Sequence, residues 1–124
     1  MNREHLKEGF FHIFKAAGYS LAGLATGLRL SLAFRQETGI LVLRVILITA
    51  YGKPVTTWLI AVGAWLLVMM AELINTAIEE ALNLITRDYN TAVKNAKDMA
   101  SAAVFLMLAL NAALWLCIFV LDLF

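Results

Sequence analysis

The chain has 124 residues, of which 62% are hydrophobic and 15% charged, with a formal net charge of +1. Its mean hydropathy of +0.81 is too high for a water-soluble fold of this size, so it reads as a single-domain membrane protein. A near-neutral chain lacks the concentrated basic surface that nucleic-acid binding needs, and the one cysteine, Cys117, excludes an internal disulfide or a multi-cysteine metal site.

No short apolar core with a small-residue cleavage site opens the sequence, so delivery to the membrane is expected through its own spans. Residues 3–30 predict an amphipathic surface helix. Leu6, Phe10, Phe14, Ala17, Leu21, Leu24 and Leu28 recur every three or four positions, while Arg3, Lys7, Lys15 and Arg29 place charge elsewhere. His5 and His12 fall on the solvated side. Small residues at Ala16-Ala17-Gly18 and at Gly23 and Gly27 are expected to allow close helix packing.

Residues 33–52 predict a first span. Its apolar part, Thr38–Gly52, is short at 15 residues and contains Arg44, which is expected to snorkel or to pair with an acid on a neighbouring subunit. Gly52-Lys53-Pro54 reads as a turn, with Tyr51 and Trp58 at the membrane boundary. Residues 55–86 predict a second, unusually long span with Pro54 in its tolerated place at the start. Arg87–Asp98 reads as a polar connector, and residues 97–121 as a third span, uncharged after Asp98.

Lys and Arg set the orientation. Arg3, Lys7, Lys15, Arg29 and Arg35 precede the first span, and Arg87, Lys94 and Lys97 lie in the second connector. Only Lys53 lies in the other turn. The N-terminus and the second connector are therefore expected in the cytoplasm.

The second span carries the polar residues that demand an explanation. At about 100° per residue, Glu72, Asn75, Glu79 and Asn83 share one helix face. Acids inside a membrane helix are costly and mark a pathway or a reaction centre. Glu72 and Glu79 differ in depth by about 10.5 Å, which suits two tasks at two depths. The deeper Glu72 is placed to take a proton from a lipid hydroxyl, and the shallower Glu79 to hold a hard cation such as Mg²⁺ beside a nucleotide. Lys97 and Asp98 offer a phosphate contact and a further oxygen. Simple helix–helix hydrogen bonding is the competing account for Asn75, and the favoured one for Asn111. Neither a GxxxxGK[ST] loop nor a GxGxxG fingerprint is present, so any nucleotide is held by another device.

Four blocks carry a resemblance to a known family. Lys15-Ala-Ala-Gly-Tyr-Ser20, Ala33-Phe-Arg-Gln-Glu37, Glu72-Leu-Ile-Asn-Thr-Ala-Ile-Glu79 and Lys97-Asp-Met-Ala-Ser-Ala-Ala103 closely resemble the bacterial integral-membrane diacylglycerol kinases, from about Phe11 to near the C-terminus. The first and third blocks look more like the diacylglycerol branch than the undecaprenol kinase branch. The resemblance implies an all-α inner-membrane homotrimer, with a surface helix and three transmembrane helices per subunit and active sites between subunits. It implies transfer from ATP to diacylglycerol, giving phosphatidic acid, with Mg²⁺ required.

By position, the resemblance makes Glu72 the general base and Asn75 a polar active-site residue. It puts ATP at His12, Tyr19, Glu79, Asp88, Tyr89, Asn90, Lys97 and Asp98. Metal falls to Glu79 and to position 31, and lipid to Ala33, Phe34, Arg35, Gln36, Glu37, Glu72, Ser101 and Trp115. The chain departs from the pattern at four places. Ser31 stands where the family has a second metal-binding Glu, His12 where Arg is common, Asn83 where Asp is common, and Arg44 where an apolar residue is expected. Glu37 lies about 240° round a helix from Ser31 and is not an obvious substitute. Two alternatives stay open beside a diacylglycerol kinase: a kinase for undecaprenol or another lipid alcohol, and, because of Ser31, a degenerate homologue with little turnover.

Overall fold

A computed structural model describes residues 3–123, with side chains from Glu8 onward; the expectations for Arg3, His5, Leu6 and Lys7 therefore concern side chains outside the described residues. The fold is all-helical, in the order α1 (Arg3–Leu30), α2 (Leu32–Ala50), α3 (Val55–Ile85) and α4 (Thr91–Phe119). Among the described residues two helices are long and apolar enough to cross a membrane, α3 with 31 residues and α4 with 29. At 1.5 Å per residue, α3 is about 46 Å long, so it outreaches a ~30 Å hydrocarbon layer. The 19-residue α2 carries Arg35, Glu37 and Arg44 and lacks that composition.

Helix limits follow local chemistry. Ser31 is extended (φ −103°, ψ 117°) and its Oγ accepts from the Phe34 N–H, so one capping residue separates α1 from α2. Gly52 turns the chain with φ +63°, a conformation that glycine adopts without penalty, and the turn leads to Pro54 at the start of α3. The predicted second connector is corrected. Asn90 Oδ1 accepts from the Val93 N–H, and a Lys94–Asp98 pair supports the next turn, so helix begins at Thr91, six residues before the expected start. Helix α4 also stops at Phe119, short of residue 121. Charge in a first helical turn is compatible with helix, so a polar connector and a helix start overlap over residues 91–98.

Two apolar clusters fill the space between α2, α3 and α4. Phe34, Trp65, Val68 and Met69 form one, packed by Leu41, Leu73 and Met107. Ile48, Ala61 and Ile118 form the other, packed by Trp58, Leu114, Trp115 and Phe119. Between the clusters lies Arg44. Its guanidinium stands 3.9 Å from the Trp65 ring centroid and 4.5 Å from that of Trp115, and donates to Asn111 Oδ1 at 3.1 Å. Asn111 in turn donates to the carbonyls of Ala64 and Met107. Within one chain, then, Arg44 is met by an amide and two aromatic faces. Asn111 joins helices, as expected.

At the far end, Lys53 Nζ donates to the Ile118 carbonyl at 3.2 Å and to Asp122 Oδ1 at 2.5 Å, tying the turn to the end of α4. Hydrogen bonding to Lys53, with its charge, holds the Asp122 carboxyl below its usual range.

Helix α1 behaves differently. From Glu8 to Ala25 every residue is exposed, including Phe10, Phe14 and Leu21. Only its last turns meet the other helices, at Gly27. A Cβ there would overlap Leu73 Cδ2 and come within 3.3 Å of the Phe34 ring. Within one chain Gly18 and Gly23 have open space, and Gly27 shows the expected close packing. Gly27→Val is therefore expected to wedge α1 away from α3, costing about 1–3 kcal/mol from overpacking. Detergent titration of the purified variant would read this as an earlier loss of helical structure.

Candidate active site

The polar stripe of α3 is real and faces inward. Glu72 and Asn75 are buried, and Glu79 and Asn83 are half-buried. Glu72 Oε1 accepts from Ser31 Oγ at 2.7 Å and, more weakly, from Thr76 Oγ1 at 3.4 Å. Asn75 Nδ2 donates to Glu79 Oε1 at 3.5 Å, while its own Oδ1 is buried without a partner. Within the stripe Asn75 is thus linked to Glu79, and Glu72 is held by the capping residue that precedes α2.

Glu37 is the main surprise. It is buried at 6% exposure, its carbonyl accepts from Trp65 Nε1 at 2.9 Å, and its Oε2 has no partner. Both acids are buried, Glu37 on α2 and Glu72 on α3. The 240° separation from Ser31 does not apply, because Ser31 is an extended cap and not a helical residue. Phe34 is also buried and Ala33 half-buried, while Arg35 and Gln36 face outward.

Two cavities flank this centre. An apolar groove of about 680 Å³ runs between the end of α1 and α3, lined by residues that include Gly23, Thr26, Leu30, Leu73, Thr76 and Glu80. Thr76 belongs both to its wall and to the hydrogen bonds of Glu72. A smaller, polar hollow of about 220 Å³ lies at the start of α4, bounded by Asp88, Tyr89, Asn90, Lys94, Lys97 and Asp98. Lys97 Nζ donates to Asn83 Oδ1 at 2.7 Å, which links this hollow to the stripe, and Lys94 pairs with Asp98. The structure therefore brings together the expected connector and α4 residues. It does not bring His12 or Tyr19 to them. Both are exposed on α1 and line neither cavity. Ser101 is exposed on α4, and Trp115 lies far along the same helix, stacked on Phe119 at 4.6 Å with its Nε1 buried and unpartnered.

A model described as prokaryotic diacylglycerol kinase matches residues 18–119. The chain belongs to that family. It is 36% identical over 107 residues to a diacylglycerol kinase of Escherichia coli strain K12, covering 86% of this chain and 88% of that one. It is 36% identical over 110 residues to a diacylglycerol kinase of Pseudomonas aeruginosa, covering 86% and 87%. A diacylglycerol kinase of Helicobacter pylori strain 26695 is 32% identical over 108 residues, covering 87% and 84%. The expectation of a kinase-family enzyme is thereby met, and the matched stretch contains every residue of the stripe and both cavities' α3 and α4 walls.

Sequence reasoning missed three participants. Thr76 lies within a quoted block without a role of its own, and the burial of Glu37 leaves no mark in the sequence pattern. The Arg44–Trp65–Trp115 stack joins residues far apart in the sequence, and only its odd charge was visible.

The described residues of one chain build no dedicated metal centre. Among the described residues there is no group of three His, Cys, Asp or Glu side chains. Ser31 is already engaged, its proton on Glu72 and a lone pair on the Phe34 N–H. Glu79 alone has a half-buried carboxylate with weak company. That fits a Mg²⁺ ion that arrives with phosphates, since this ion binds through one or two carboxylates plus substrate oxygens.

Proposed function

We propose that this chain transfers the γ-phosphoryl group of ATP to the free hydroxyl of diacylglycerol, giving phosphatidic acid and ADP. The observation that carries the proposal is a buried, hydrogen-bonded carboxylate, Glu72, adjoining an apolar groove through Thr76. A lipid alcohol needs such an arrangement: a greasy channel for its tails that ends on a proton acceptor. The names carried by the relatives support diacylglycerol as the alcohol.

In this reading the lipid hydroxyl approaches Glu72, which takes its proton as the oxygen attacks phosphorus. The unpartnered Asn75 Oδ1 offers an acceptor beside it. Lys97, held by a neutral amide and so not neutralised by it, faces the nucleotide phosphates from the hollow at the start of α4. Mg²⁺, held by Glu79 and the phosphates, would neutralise charge. Phosphoryl transfer asks mainly for positioning and charge stabilisation, and this set supplies both.

The remaining elements of the proposal concern assembly. Three helices, α2 to α4, cross the inner membrane with α1 on its cytoplasmic surface. The exposed apolar side of α1 and the separation of His12 and Tyr19 from the α4 hollow suit a homotrimer with sites shared between subunits.

The test is phosphatidic acid formation from labelled ATP and diacylglycerol by the purified protein, with undecaprenol as competitor. Phosphatidic acid as the main product is expected. Preferential labelling of undecaprenol would change the substrate, and lipid binding without turnover would make the chain a degenerate homologue.

A further inference from the structure

We propose that Ser31 is a positioning residue that aims the Glu72 carboxylate, and not a ligand for a cation. The inference rests on Glu72 acting as the base. Ser31 Oγ donates to Glu72 Oε1 at 2.7 Å and accepts from the Phe34 N–H at 3.0 Å, and the residue is 7% exposed. A hydroxyl has one proton and two lone pairs, so these two bonds fix its rotamer. Its remaining lone pair is enclosed by the burial that surrounds it.

The arrangement has a directional consequence. Both hydroxyl donors of the site, Ser31 and Thr76, converge on Oε1 of Glu72. That leaves Oε2 for an incoming hydroxyl. Ser31 acts from the cap that precedes α2, whereas Thr76 acts from the same helix as Glu72. Only Ser31 therefore fixes the carboxylate against a second helix. An acid at position 31 would face Glu72 with a second negative charge, and Glu37 is already a buried acid of α2. A neutral donor gives Glu72 a partner without adding to that repulsion.

Capping and aiming can be separated. Thr keeps a cap and a donor. Asp keeps a good cap but, when ionised, cannot donate, and Gly removes the side chain at a cost of only a few tenths of a kcal/mol to the helix start. In the full-length protein, Ser31→Thr is expected to hold kcat near the parent value. Ser31→Gly and Ser31→Asp are expected to lower kcat by about tenfold to a hundredfold, the worth of a hydrogen bond to a charged group. KM for ATP and the Mg²⁺ concentration at half-maximal rate should stay at parent values in all three. Circular dichroism and elution volume check that each variant is folded.

Parent-like kcat in Ser31→Gly and Ser31→Asp would overturn the proposal. So would a rise in the Mg²⁺ requirement with kcat intact, which would make Ser31 a metal ligand. Glu72→Gln in the same assay separates the two levels. If it keeps turning over, the base assignment fails; if it is dead while Ser31→Gly keeps a parent-like kcat, only the role of Ser31 fails.

Discussion

Glu72→Gln is expected to abolish measurable lipid phosphorylation while helix content and assembly stay unchanged. The substitution is nearly isosteric and leaves an amide oxygen to accept from Ser31 and Thr76, so the two contacts that hold the side chain survive. What disappears is the capacity to take a proton. General-base catalysis contributes about 10²–10⁴-fold, and the loss should appear in kcat and not in KM for ATP. The same change removes a buried negative charge, so stability should hold or rise. Single-turnover phosphatidic acid formation, with elution volume as the control, decides the matter. Near-normal turnover would take the base role from Glu72.

The second large effect concerns stability and lies on the other side of the core. Asn111→Leu should destabilise the chain by about 2–3 kcal/mol, because the Arg44 guanidinium loses its acceptor while remaining half-buried. Two backbone carbonyls, of Ala64 and Met107, lose a donor at the same time, although the Met107 carbonyl keeps its helical bond. The companion Arg44→Leu change should recover most of that loss. Replacing both partners of a buried polar pair by apolar groups costs far less than removing one. Detergent-unfolding midpoints of the two single variants and the double variant form the cycle that measures this. Equal loss in the double variant and in Asn111→Leu would show that Arg44 draws its stability from the tryptophans alone.

Much of this architecture was legible in the order of residues. The 3.6-residue repeat gave the helices, and the spacing of Glu72, Asn75, Glu79 and Asn83 gave an inward polar face that the structure contains. The start of α4 was not legible, because Thr91–Asp98 is polar and polarity alone does not separate an exposed first turn from a loop. Asn90 as a cap was the available signal. The burial of Glu37 was not legible for a different reason. Wheel geometry was carried through Ser31, and a single extended residue resets the angle of everything after it. The Ser31–Glu72 contact spans 41 positions, a distance over which no periodicity speaks.

The aromatic stack around Arg44 has a practical consequence for watching the protein work. Of the chain's three tryptophans, two lie against a single guanidinium and the third, Trp58, borders the neighbouring cluster. Native ultraviolet emission therefore originates almost wholly from one region between α2, α3 and α4. The molecule carries its own optical probe, seated away from the groove and the hollow, and a signal change on adding lipid or nucleotide would report movement transmitted through the bundle.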